Sequence, residues 1–181
     1  MTGCMIPRPA PDEYAAYYGK YVALVPDGDL CDLLGRQLTE TLALLRQIPE
    51  SRGTHRYAPG KWSLKEVLGH LGDTERIMSY RALRIARGDA TPLPGFEQDD
   101  YVPAGRFDQR TIADLGDDLS AIRQATIALF RHLDLEALAR RGTASGNPFT
   151  PRALAYVIAG HERHHVAIVR ARYLESGGSG A

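Results

Sequence analysis

Near the end of the chain, the run Gly160-His161-Glu162-Arg163-His164-His165 sets His161 and His165 four residues apart. On a helix, residues so spaced stand one above the other on a single face, about 6 Å apart along the axis. Two imidazoles in that position can share one metal ion. A third histidine, His70, lies in an earlier segment of the same periodicity. Three neutral imidazoles leave a coordination position for water or substrate, the pattern of a catalytic rather than a structural site. Imidazole suits zinc, nickel, copper and iron alike, so the donor set does not select the metal. A di-iron bundle needs a Glu-x-x-His motif on each of two helices, a set this chain does not carry.

A single inward histidine is more often a core residue bonded to a carbonyl than a ligand. Two inward histidines four apart shift that balance, because both must find partners in an apolar setting. His55, His132 and His164 are expected at the surface or behind the site. The chain has no nucleophile elbow, phosphate loop or cysteine metal motif.

Four amphipathic segments would have to position these residues. The first runs from Leu30 to Ile48, with Leu30, Leu33, Leu34, Leu38, Leu42 and Leu45 at helical spacing and Pro49 closing it. The second runs from Ser63 to Arg87. Ser63 and Glu66 form a capping box at its start, and Gly88 stops it. On its helical wheel His70 falls at the polar edge of the apolar stripe, close to Thr74, Ile77 and Arg81. The third covers Thr111 to Leu133. The fourth starts with Thr150 as N-cap and Pro151 at the first helical position and continues to Leu174. There Leu154, Ile158, His161, His165, Ile168, Val169 and Arg172 fall within about 60° of one another's common face, centred on His165.

Strand signals are weak throughout, and residues 140–148 break the helical pattern with Gly142, Gly146 and Asn147. The expected fold is therefore all-α, a four-helix bundle with a long connection, residues 88–110, between the second and third helices. A link of that length is a crossover or a functional flap. Residues 1–28, with four prolines and Tyr14, Tyr17, Tyr18 and Tyr21, read as an N-terminal arm. Residues 29–175 form the bundle and 176–181 a flexible tail. Trp62 is expected to staple the start of the second helix rather than to line a pocket.

Length and charge bound the rest. The 181 residues suffice for one well-buried domain, and 22 basic residues balance 22 acidic ones. That balance argues against nucleic-acid binding, which requires clustered positive charge. No apolar stretch approaches the roughly 20 residues of a membrane span, and the first residues are not expected to form a secretory leader. Cys4 and Cys31 are too few for a disulfide framework and are expected as reduced thiols. The expected location is cytoplasmic.

Seven short stretches carry a resemblance: Gly60-Lys61-Trp62-Ser63, Gly69-His70-Leu71, Asp73-Thr74-Glu75-Arg76, Arg81-Ala82-Leu83-Arg84, Ala86-Arg87-Gly88-Asp89, Thr91-Pro92-Leu93-Pro94-Gly95-Phe96 and Gly160-His161-Glu162-Arg163-His164-His165. Together, over residues 30–174, they resemble the DinB superfamily, in particular its YfiT-like branch of metal-dependent hydrolases and thiol S-transferases. The resemblance implies a four-helix bundle in which one histidine of the second helix and two of the fourth bind a divalent metal. Here those positions are His70, His161 and His165, with zinc and nickel the leading ions. It also implies a homodimer acting on a small molecule, and a low-molecular-weight thiol of the bacillithiol or mycothiol type as possible co-substrate.

Under that resemblance the metal would activate the thiol, or a water, for attack on a small electrophile. Arg81, Arg172 and Glu162 would position a charged thiol carrier, against the plainer reading of ion pairs; Arg81 and Arg172 are the candidate cofactor-binding residues. Asp73 and Thr74 would orient His70 from behind. The competing expectation is a stress-associated metal-binding homodimer without turnover.

Overall fold

The computed structural model describes residues 5–174. In chain order its helices are α1 (Gly19–Val22), α2 (Leu30–Leu45), α3 (Leu64–Ala86), α4 (Gln98–Gly105), α5 (Ile112–Arg131), α6 (Leu135–Ala139) and α7 (Pro151–Ile168). A π-helical turn, Val169–Leu174, extends α7. Strands β1 (Gly142–Ala144) and β2 (Asn147–Phe149) form a small antiparallel hairpin between α6 and α7.

The four long helices begin where side-chain acceptors meet their first free amides. Asp29, Thr111 and Thr150 each accept from the amide three residues on, and Ser63 and Glu66 complete a reciprocal capping box. Each such cap contributes about 1 kcal/mol. The helices bury two separate apolar clusters. One gathers Leu30 and Leu34 of α2, Met78 and Ile85 of α3, Phe130 of α5, and Leu154 and Ile158 of α7. The other gathers Leu44 and Leu45 of α2, Leu64 and Leu71 of α3, Ile112 and Leu119 of α5, and Val169 beyond α7.

This division fixes the directions. The starts of α2 and α7 share the first cluster, while the starts of α3 and α5 share the second. So α2 and α7 run one way and α3 and α5 the other, α3 packing on both α5 and α7. Helices α3 and α5 point alike, so the chain between them must travel the length of the bundle. The long connection is that crossover. It is not wholly irregular, since α4 lies on α3 and a 3₁₀ turn, Phe107–Gln109, seats Phe107 against Gly69.

Two local features add to the bundle, a hairpin and a docked N-terminal segment. Ser145 and Gly146 both have positive φ, 52° and 72°, as a two-residue hairpin turn requires. The hairpin so formed bonds to Leu93 of the crossover through the Leu93 amide and carbonyl. At the other end of the chain, Tyr21 and Val22 of α1, with Ile6 and Val25, are buried in the first cluster. Gly160 permits the close approach of α1 to α7, because a Cβ there would lie 2.0 Å from the Tyr21 carbonyl oxygen. Glu13 accepts from the Thr150 hydroxyl and pairs with Arg152, tying the same segment to the start of α7.

Among the described residues there is no free thiol. Cys31 is buried and engaged, which corrects the reduced thiol expected there, and Cys4 lies outside the described residues, as does the tail 176–181. No helix is long and apolar enough to cross a membrane.

Candidate metal centre

Between the two apolar clusters every long helix turns a polar residue inward. From α2 come Gln37 and Thr41, from α3 His70, Thr74 and Glu75, from α5 Arg123 and Thr126, and from α7 His161 and Glu162, all buried. The histidines form one half of this layer and a charged triad the other.

His70 of α3 meets His161 and His165 of α7, and one ring nitrogen from each lies within 4.8 Å of the other two. The rings of His161 and His165 are centred 4.5 Å apart, one helical turn as their spacing requires. His70 Nε2 stands 3.1 Å from His161 Nε2. Burial pushes the histidines down, His70 to about 4 and His161 well below its ordinary value. His165 is held at about 3, by burial first and then by His70, His164 and Lys20. All three are therefore neutral at pH 7 and each offers a lone pair. Two neutral rings meeting Nε2 to Nε2 can be bridged by one proton, which leaves the third ring out. A cation in the middle uses all three lone pairs, so the donor set fits a metal.

Aromatic rings wall the cluster. Trp62 lies against His70 at 4.7 Å between ring centres, and Tyr21 lies edge-on to His161 at 5.3 Å and to His164 at 5.4 Å. His165, half-buried, opens into a cleft of about 340 Å³ shared with Tyr57, Lys61, Trp62, Asp99 and Tyr173. Trp62 thus lines the pocket, which corrects the reading of it as a staple only. The Tyr173 hydroxyl donates to the Trp62 carbonyl at 2.6 Å and holds that wall to the π-helical turn.

Behind His161 stands Arg123, fully buried. It donates to both carboxylate oxygens of Glu75 at 2.8 and 2.7 Å, to Glu162 at 2.8 Å and to the Leu34 carbonyl at 3.0 Å. Glu162 also accepts from Gln37 at 2.8 Å and Thr41 at 2.7 Å. Burial pulls the guanidinium's proton affinity down, and the two carboxylates outweigh it and raise it. Glu162 and His165 do stand at Glu-x-x-His spacing, but the carboxylate is spent on this triad and is unavailable for a thiol carrier. Asp73 turns to Arg76 at 3.8 Å, while Thr74 Oγ1 is 3.4 Å from His70 Nδ1. Thr74 alone is placed to orient the ring.

The remaining candidates lie outside the cluster. Arg81 is buried, donating to the Pro94 carbonyl at 2.7 Å and the Ser145 hydroxyl at 3.0 Å. Arg172 is exposed on the π-helical turn beside Tyr173 and already engaged. His55 packs near the Tyr173 ring and His132 caps the end of α5. The triad itself escaped sequence reasoning. Its signal is that Gln37, Glu75 and Arg123 occupy inward helical positions near the middle of otherwise apolar stripes.

Known structures share this architecture. YfiT from Bacillus subtilis, described as a probable metal-dependent hydrolase with an unusual four-helix bundle topology, superposes with a TM-score of 0.69 at 17% identity. The match covers 86% of this chain and 91% of that one. A DinB-like protein of Bacillus subtilis, YjoA, gives 0.60 at 20% identity over 84% and 94% of the two chains. A mycothiol-dependent maleylpyruvate isomerase gives 0.63 at 11% identity over 80% of this chain and 61% of the longer one. At such identities the likeness is one of fold. No curated protein matches the chain. The family model of the DinB superfamily matches residues 33–169, and the chain belongs to that superfamily.

Proposed function

We propose that the protein is a divalent-metal-dependent enzyme in which His70, His161 and His165 hold the ion and a small thiol or a water attacks a small electrophile. One observation carries the reading: three neutral ring nitrogens converge within 4.8 Å at the head of a 340 Å³ cleft. An ion held by three imidazoles supplies Lewis acidity and eases loss of the proton from a thiol or water at its open position. YfiT, described as a probable metal-dependent hydrolase, and a mycothiol-dependent isomerase share the fold and support both branches of the proposal. Zinc or nickel is the proposed ion and a low-molecular-weight thiol of the bacillithiol or mycothiol type the proposed co-substrate.

The chain's own residues do the positioning. The Thr74 hydroxyl, 3.4 Å from His70 Nδ1, is placed to accept from Nδ1–H and so leave the Nε2 lone pair facing inward. Trp62, Tyr57 and Tyr173 give the cleft an aromatic wall beside His165. Arg172, on the turn that carries Tyr173, stays in the proposal as the cationic contact for a charged carrier, while Arg81 faces a second cleft and would meet only the far end of a substrate. The reading has the protein act as a cytoplasmic homodimer on a small molecule, with neither nucleic acid nor membrane as partner.

Metal analysis of the purified protein tests the first step, beside a His165→Ala variant. Stoichiometric metal in the wild type and loss in the variant are expected; full metal content in the variant overturns the three-histidine site. A panel of thiols with monochlorobimane tests turnover. Bound metal with no activity toward any thiol or hydrolysable ester would leave a metal-binding homodimer as the function.

A further inference from the structure

The protein buries two arginines and treats them differently. Arg123, with no exposed surface, has two carboxylates on its guanidinium. Arg81 is 2% exposed, and among the described residues no carboxylate comes within ion-pair distance of it. Its acceptors are the Pro94 carbonyl, the Ser145 hydroxyl, the Tyr18 hydroxyl and, weakly, Met78 Sδ, all neutral. Burial raises the Tyr18 phenol, so it keeps its proton. A buried cation without a counter-ion is costly, and an anion brought to it would lower that cost.

Arg81 lines an open cleft of about 300 Å³ between α3 and the crossover. The other walls are Ile77, Tyr80, Leu93, Phe96 and Tyr101, with Arg76 at the edge. Tyr80 and Tyr101 are 51% and 46% exposed and form the rim of the cleft. The guanidinium carbon sits 5.7 Å from the centre of the Phe96 ring, and Phe96 meets Tyr101 edge-on at 5.4 Å. The cleft therefore combines an aromatic, largely apolar lining with one uncompensated positive charge. It is separate from the histidines, because Arg81 lies eleven residues beyond His70 on α3, about 16 Å along the axis.

We propose that this cleft binds a small apolar carboxylate, its ring or acyl body against Tyr80, Phe96 and Tyr101 and its anionic end on Arg81. The site needs neither bound metal nor turnover, so it stands apart from the catalytic reading. If that reading holds, the cleft offers a place for the acidic tail of an electrophile or for an acidic effector.

The test is titration of the full chain with 2-naphthoate and, as its neutral isostere, 2-naphthamide, by calorimetry. The acid should bind at least about 10-fold more tightly than the amide, the gap expected of one charge-assisted contact. Arg81→Gln should abolish the difference, and Tyr101→Ala should weaken both ligands while leaving the preference intact. If Arg81→Gln does not fold, the acid-to-amide ratio and Tyr101→Ala decide the matter. The His165→Ala variant, with its metal content measured on the same sample, must bind naphthoate as the wild type does. Equal affinity for acid and amide overturns the proposal, as does absence of saturable binding. Loss of naphthoate binding in His165→Ala overturns it too, because the acid would then sit at the histidines.

Discussion

Replacing Arg123 by Met keeps much of the side chain's volume and removes its charge, stranding two carboxylates. Glu162 retains Gln37 and Thr41 as donors. Glu75 has only the guanidinium, through two hydrogen bonds, and keeps no donor afterwards among the described residues. Removing one partner of a buried ion pair costs about 3–5 kcal/mol, a large share of the roughly 5–15 kcal/mol that holds a domain folded. For a chain of this size each kcal/mol moves the melting temperature by about 2–4 °C, so a 4 kcal/mol loss lowers it by about 8–16 °C. The same inequality orders the rescues. Arg123→Met with Glu75→Gln should recover more than Arg123→Met with Glu162→Gln, since the first removes the carboxylate left without donors. Thermal and urea denaturation of the four proteins measures this. A loss under about 1 kcal/mol, in the range of an exposed pair, or the reverse order of rescue, refutes the reasoning.

Three further outcomes follow from single contacts. Burial pushes the Glu13 carboxyl up, but the Arg152 guanidinium, the Ala10 amide and the Thr150 hydroxyl outweigh it and hold it at about 2, below its ordinary 4.5. A carboxyl lowered by folding stabilises above its unfolded value and loses that contribution as the pH falls through the folded one. Glu13→Gln should therefore flatten the stability curve between about pH 4.5 and 2; an acid limb as steep as the wild type's excludes the mechanism. Gly160→Ala forces a Cβ onto the Tyr21 carbonyl, backbone against backbone, and should cost about 1–3 kcal/mol. Faster proteolysis within residues 5–28 would show α1 undocking, and a wild-type urea midpoint would count against the contact. Ser63→Ala removes both the acceptor of the Glu66 amide and the donor to Asp108, a loss of about 1–2 kcal/mol. Ser63→Thr should restore most of it in the same urea titration.

The bundle was legible where periodicity and caps agree. Ser63 with Glu66, and Thr150 with Pro151, mark the starts of α3 and α7 at the residues where the structure has them. Spacing places His161 and His165 inward and His70 at the polar edge of its stripe, the resemblance names the three together, and the structure brings their ring nitrogens within 4.8 Å. Length misled at the first helix, whose last turn before Pro49 has left the α-helical pattern by Arg46. Helix α4 was invisible because Val102 is its one buried residue and Pro103 interrupts it, so it has no apolar period to read. The hairpin failed for a similar reason, since three-residue strands cannot display alternation. The triad hid for the opposite reason. Arg123 and Glu75 are residue types of a solvated surface, and their inward positions in apolar stripes do not by themselves name the partners that other helices bring from far along the chain.

The polar layer also sets the axial alignment of the bundle. Apolar side chains pack with tolerance for substitution and sliding, whereas the guanidinium of Arg123 accepts one arrangement. Moving α7 by one turn, about 5.4 Å, would bring Ile158 or Val166 opposite Arg123 in place of Glu162 and leave the cation, Glu75 and Gln37 mismatched. Only one vertical register of the helices satisfies all of these groups. His161 adjoins Glu162, and His70 lies five residues from Glu75, so the histidines inherit that register. The height at which the three rings meet is thus set by a lock composed of residues that never touch a ligand.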